Sequence, residues 1–209
     1  MIAAVCLTLV PSRRSSGRPS PRSKRLSGTA RALEVIVNPE GTLIDYGKQE
    51  AAKLAYELGH RYELEAHYCP QASLAALMDV FHLKDDVLFK AMFGFHGGSG
   101  NTGIGPCGAL AGGIAALSLF FGRSRQEFDL KAENCTATPL VAQLVGRFKQ
   151  EFGGISCRDG QKHMFGREID FSLEEDQQFF KESRGHEKCA QVVGRGAAMA
   201  TEILWDALR

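Results

Sequence analysis

The sequence predicts an all-α protein, a compact bundle of about six helices with a glycine-rich loop leading into a central helix. Three observations predict it. Apolar residues recur at helical spacing in successive segments from Gly47 onward. Helix start signals precede several of those segments. Only residues 34–45 carry a strand signal, through Val35-Ile36-Val37 and the turn Asn38-Pro39-Glu40-Gly41, and nothing later supplies a sheet for it.

In the first helix Ala51, Leu54, Ala55, Leu58 and Tyr62 share one face, while Glu50, Lys53, Glu57 and Arg61 take the wet side. A second helix runs from Cys69 to about His82, with Pro70 tolerated in its first turn and Leu74, Leu77, Met78 and Phe81 turned inward. Asp85 caps a short third helix through Phe93. Pro106 then opens an apolar helix, Cys107 to Phe121. Its small residues (Gly108, Ala109, Ala111, Gly112, Ala115, Ala116) suit a crowded central position. The segment Asn134–Phe152 holds a helix capped by Thr138, with Pro139 first and Val141, Leu144, Val145 and Phe148 on its apolar face. Ser172, Glu174, Glu175 and Asp176 mark the acidic first turn of another. The last helix covers His186–Leu208, with Cys189, Val192, Val193, Gly196, Ala197, Ala200, Ile203 and Leu204 along one face.

The chain has 209 residues, 44% of them apolar, and a net charge of +1 that averages two unlike regions. Residues 1–33 carry seven basic side chains and no acid. Removing those seven from the 25 Lys and Arg leaves 18 against 24 acids, a net of −6 for residues 34–209. An acidic body argues against a nucleic-acid partner, and no apolar run reaches the ~20 residues that span a bilayer. The expected organisation is a basic, disordered leader over 1–33, a linker or short strand over 34–46, and one helical domain carrying four of the cysteines over 47–209. The expected location is cytoplasmic, or organellar if the Arg/Ser-rich leader is a transit peptide.

Six cysteines are too few for a disulfide scaffold and enough for one metal, cluster or redox-thiol site. Cys69 and Cys107 fall at predicted helix starts and Cys189 in the first turn of the last helix. Cys157 falls in a loop after Phe152-Gly-Gly. Helix N-termini favour thiolate, which is both nucleophile and metal ligand. The spacings of 38, 50 and 32 residues contain no Cys-x-x-Cys pair, so a shared site has to be assembled by tertiary packing. Gly98-Ser-Gly-Asn-Thr-Gly103 matches the dinucleotide pattern G-x-G-x-x-G in form but lacks its preceding strand and later acid. The loop is expected instead to leave backbone N–H groups facing a bound anion or cluster, with Gly97, Gly98 and Gly108 as the candidate backbone contacts. The six histidines are scattered. His67 and His186 stand near cysteines and His96 touches the glycine loop.

These residues favour a redox protein whose iron–sulfur or related metal site, held by Cys69, Cys107, Cys157 and Cys189, serves electron transfer or redox sensing; the alternatives are reversible thiol–disulfide pairs among them, or a helical interaction module with structural cysteines or zinc. The electron donor or acceptor, whether protein or small molecule, and the oligomeric state stay open.

Cys107-Gly-Ala-Leu-Ala-Gly112 resembles the CGAxxG core of a family of redox-active proteins named for its four-cysteine formula, C_GCAxxG_C_C. Cys69-Pro-Gln-Ala is similar to the first family cysteine and its helix. Phe152-Gly-Gly-Ile-Ser-Cys157-Arg is similar to the third in its setting, and Cys189-Ala-Gln-Val-Val to the fourth. The resemblance covers roughly residues 47–209. It implies a small helical redox protein with a four-cysteine site, related to the cysteine domain of split-Soret cytochromes, for which an iron–sulfur site has been suggested. No haem-attachment motif is present. Pro70 stands where the family more usually has a small residue, the stretch 158–188 is polar, and Cys6 and Cys135 fall outside the four.

Overall fold

A computed structural model describes residues 46–209. The leader and the candidate strand and turn within 34–45 lie outside the described residues. Among the described residues there are nine α-helices: α1 Lys48–Ala66, α2 Cys69–Val80, α3 Asp86–Met92, α4 Gly108–Phe121, α5 Arg125–Asp129, α6 Ala137–Phe152, α7 Cys157–Phe165, α8 Glu174–Glu182 and α9 Gly185–Ala207. A 3₁₀ turn, Phe93–Phe95, follows α3. Extended pairing among them is limited to one isolated antiparallel bridge, Pro106 with Ser156. The all-α expectation holds.

Three of the nine helices, α3, α5 and α7, begin at a side-chain cap that takes up an unpaired N–H group. Asp85 accepts from Leu88 N–H at 2.8 Å at the start of α3. Two of the nine helices have no counterpart in the sequence reading, and both start with a capping box: Ser124 with Glu127 at α5, and Ser156 with Asp159 at α7. Cys157 is therefore the first residue of a helix rather than part of a loop. α6 starts two residues earlier than the Thr138–Pro139 signal implies, at Ala137, which leaves Pro139 still within the first turn where its missing N–H costs nothing.

Helix α4 lies at the centre, packed by α2, α6 and α9. Buried Ser73 of α2 donates to the Ala109 carbonyl of α4 at 3.0 Å. Leu74, Leu77, Leu110, Leu117, Leu144, Phe148 and Leu204 fill the core between them. The broadest helix contact joins α1 to α9. Here the buried stripe of α1 is Ala51, Ala52, Ala55, Gly59 and Glu63, while Leu54, Leu58 and Tyr62 are only half-buried. Small side chains on α1 meet the small residues Val193, Gly194 and Ala197 of α9, so the two backbones come close and the buried face rotates toward the small residues.

The polar stretch 158–188 builds a second, smaller packing unit. Phe165, Phe171, Phe179, Phe180 and His186 pack edge to face or tilted on one another. Buried Asp176 pairs with Arg167 and accepts from Asp170 N–H at 2.6 Å, which pins the segment between α7 and α8. No helix of the described residues is long and apolar enough to cross a membrane.

Candidate functional site

Each of the four cysteines enters from a different element. Cys69 is the first residue of α2. Cys107 is the N-cap of α4. Cys157 is the first residue of α7. Cys189 lies one turn inside α9, because that helix starts at Gly185, earlier than the sequence signal.

The backbone brings three of them, Cys69, Cys107 and Cys157, to one place. Around the Pro106–Ser156 bridge, Cys107 N–H donates to the Ile155 carbonyl at 2.8 Å and Cys157 N–H donates to the Gly105 carbonyl at 3.0 Å. Residues one step beyond the bridge on each strand lie on the same face, so Cys107 and Cys157 are diagonal neighbours, on the order of 7 Å apart. Gly108 lies directly against the Cys69 sulfur, and a Cβ there would collide with that sulfur and with the Pro70 ring. Gly98 has a φ of +74° and packs so closely on Cys157 that a Cβ would stand 2.7 Å from the Cys157 Cβ.

The electrostatics show the same convergence. Burial first, then Cys107 and Glu63, pushes the Cys69 thiol up. Cys107 is pushed up to about 12 by burial and then by Cys157. Cys157 is pushed up to about 12 by burial and then by Cys69. Cys189 is pushed up by burial, then by Cys69, Glu63, Cys107 and Cys157. Each of the six pairings of the four thiols thus raises one of its two members. Helix starts do act in the expected direction. N–H groups of Gly97 and Gly108 draw the Cys69 thiol down, and those of Ala109 and Leu110 draw Cys107 down, though they stop short of a cap hydrogen bond. Desolvation and like-charge repulsion outweigh them, so the thiolate expected from the helix ends is not favoured in the bare site. Each cysteine residue still keeps part of its surface exposed, so the cluster lies just under the protein surface.

The glycine loop behaves differently from expectation. The N–H groups of Ser99, Gly100, Asn101, Thr102, Gly103 and Gly105 are all bound to carbonyls of the stretch 94–99. The loop therefore spends its donors on its own shape, and Gly97 is its one residue whose N–H acts on a cysteine, drawing the Cys69 thiol down. His67 and His186 pack tilted against each other with ring centroids 4.2 Å apart, and His96 bonds the Phe93 carbonyl through Nδ1 at 2.7 Å. Cys135 is exposed on the turn before α6, and Cys6 lies outside the described residues. A cavity of about 310 Å³, lined by Met78, Asp79, Leu83 and Phe89, opens at the other end of α2 from Cys69.

Two residues at the site escaped the sequence reading. Glu63, only 5% exposed, has a carboxyl pushed up to about 8 by burial, and its charge raises Cys69, Cys107 and Cys189. Its signal was the stripe Ala51, Ala55, Gly59, Glu63 at i, i+4 spacing, small residues ending in an acid. Gln161, 2% exposed, places Nε2 3.7 Å from the Cys157 sulfur. Its signal was Ser156-Cys-Arg-Asp159, a capping box that makes Gln161 the helical i+4 neighbour of Cys157.

With that geometry in hand, the comparisons define the class. The profile of a family described as "Putative redox-active protein (C_GCAxxG_C_C)" matches residues 67–203. That span holds all four cysteines and leaves α1, with Glu63, outside it. The chain belongs to this redox-active family. No curated protein matches the chain, and no solved structure does.

The donor set fits an iron–sulfur cluster. Four thiols from four segments converge, backbone N–H groups lie near two of the sulfurs, and Gly98 and Gly108 let the backbone pack directly against Cys157 and Cys69. Among the described residues no three or more Cys, His, Asp or Glu side chains stand close enough to hold one metal ion. A single tetrahedral ion needs its sulfurs about 2.3 Å from one centre. A polynuclear cluster takes a wider set.

Proposed function

We propose that Cys69, Cys107, Cys157 and Cys189 together hold an iron–sulfur cluster, and that the protein transfers electrons or senses redox state through it. The convergence of these thiols carries this reading, with Cys107 and Cys157 flanking one backbone bridge and Cys69 packed against the start of α4. Four buried thiols that each disfavour the others' ionisation release their protons together only where cationic charge is supplied among them. Such a cluster, when bound, supplies reversible one-electron transfer. The chain's own residues do the rest. Gly97 and Gly108 present N–H groups to the Cys69 sulfur, and Ala109 and Leu110 present theirs to Cys107. The helix cores of α2, α4 and α9 exclude bulk water from the inner side. The partial exposure of each cysteine leaves a short path to the surface for an electron partner.

Thiol–disulfide exchange fits less well. It needs thiolate at neutral pH, and thiols pushed up to about 12 hold almost none. The test is iron and acid-labile sulfide analysis of the full chain, purified without oxygen and reconstituted. Bound iron and sulfide with visible charge-transfer absorption are expected. Colourless protein without iron after reconstitution would overturn the reading, and a loss of two or four thiols on mild oxidation of that protein would replace it with disulfide chemistry.

A further inference from the structure

We propose that Gln161 is a positioning residue of this redox site, its side-chain amide locked so that the NH₂ group donates to the Cys157 sulfur and thereby raises the reduction potential of what that sulfur ligates. The inference rests on the cluster reading above and adds a specific determinant of its potential.

The need for such a donor comes from α7 itself. A helix start usually offers free N–H groups. Here they are all engaged. Cys157 N–H goes to the Gly105 carbonyl, Arg158 N–H to Gly103, Asp159 N–H to Ser156 Oγ and Gly160 N–H to the Ser156 carbonyl. The bridge and capping box that place Cys157 beside Cys107 thus consume every backbone donor that could have served its sulfur. Cys69 and Cys107 each have two backbone N–H groups near enough to draw the thiol down, though none closes a hydrogen bond. Cys157 receives a side chain instead.

The amide has one usable orientation. Its Oε1 accepts the Ile169 N–H at 2.9 Å while Nε2 lies 3.7 Å from the Cys157 sulfur. Turned about, oxygen would face sulfur and NH₂ would face N–H, and both bonds would be lost. Ile169 is itself buried and held from both sides. Glu168 pairs with Lys162 at 2.7 Å and with Arg158 at 3.4 Å, and Asp176 accepts from Asp170 N–H while pairing with Arg167. The polar segment between α7 and α8 therefore acts as the clamp that aims Gln161. Donation to a ligating sulfur stabilises the more electron-rich, reduced state.

Gln161→Met removes the donor at similar size and without adding charge. In the reconstituted full chain its reduction midpoint is expected to fall by roughly 59 mV, a tenfold shift for a one-electron couple, with iron content unchanged. Gln161→Glu keeps the acceptor for Ile169 N–H and serves if the Met variant fails to fold; it is expected to lower the midpoint at least as far. Equal midpoints at equal iron content would overturn the inference and leave the cluster reading standing. No iron in the wild-type protein would overturn both. Independently of iron, the Gln161 side-chain amide resonances of the metal-free chain are expected to move on Cys157→Ala. Resonances that stay in place would overturn the contact.

Discussion

Glu63 carries a carboxyl oxygen with no hydrogen-bond partner and almost no contact with water. Burying such a group costs free energy unless it stays protonated or meets positive charge. The folded chain holds the proton up to about 8, whereas the unfolded chain releases it near 4.5. The unfolded state therefore gains as pH rises between those values. Stability linked to Glu63 is present in full below about 4.5 and is lost as pH approaches 8, by on the order of a few kcal/mol. Urea unfolding of the metal-free protein between pH 5 and 7.5 is expected to show this fall, and Glu63→Gln to flatten it. Parallel pH profiles for the two proteins would contradict the assignment. At Gly108, replacement by Ala forces a methyl into the Cys69 sulfur, and a loss of about 1–3 kcal/mol with reduced iron retention is expected, read by thermal unfolding and iron content. The four cysteines were legible because residue type, helix-start placement and the ordered CGAxxG setting agree. Glu63 and Gln161 were not, because an acid on a small-residue stripe and a glutamine in a polar stretch acquire meaning only from what packs against them.

At the scale of elements, the capping boxes of α5 and α7 have equal chemistry and unequal consequence. Ser124 starts a short exposed helix, and Ser156 starts the helix that bears Cys157 and forms the bridge to Pro106. Ser124→Ala and Ser156→Ala are each expected to cost about 1 kcal/mol of stability. Only Ser156→Ala is expected to lower iron retention as well, since it loosens the ribbon that sets Cys157 beside Cys107. Equal iron content in the two variants would contradict that role for α7. The long helices α1, α2, α4, α6 and α9 were readable from apolar periodicity. The five- and nine-residue helices α5 and α7 are too short for periodicity to show, and their Ser-x-x-Glu and Ser-x-x-Asp boxes were the signal available. The glycine loop was expected to hold donors open for a ligand. Its hydrogen bonds close on itself because six of its residues, Gly97 through Asn101 and Gly103, take left-handed conformations that turn N–H groups back onto the 94–99 carbonyls.

Across the whole molecule, the site joins helices that are distant in sequence. Cys69 and Cys189 come from two helices that pack on α4 and on each other, and Cys157 reaches Cys107 through one bridge. A group bound there crosslinks α2, α4, α7 and α9 and binds only the folded chain, so it stabilises the fold by mass action. Iron removal is therefore expected to lower the melting temperature by several degrees, about 2–4 °C for each kcal/mol in a chain of this size. An unchanged melting temperature would place the iron outside the bundle. The claim that four cysteines form one site is tested most directly by the iron content of the four single variants Cys69→Ser, Cys107→Ser, Cys157→Ser and Cys189→Ser, reconstituted side by side with the full wild-type chain. Loss or marked depletion of iron in all four is the expected result. Full wild-type iron retained in any one of them would contradict it.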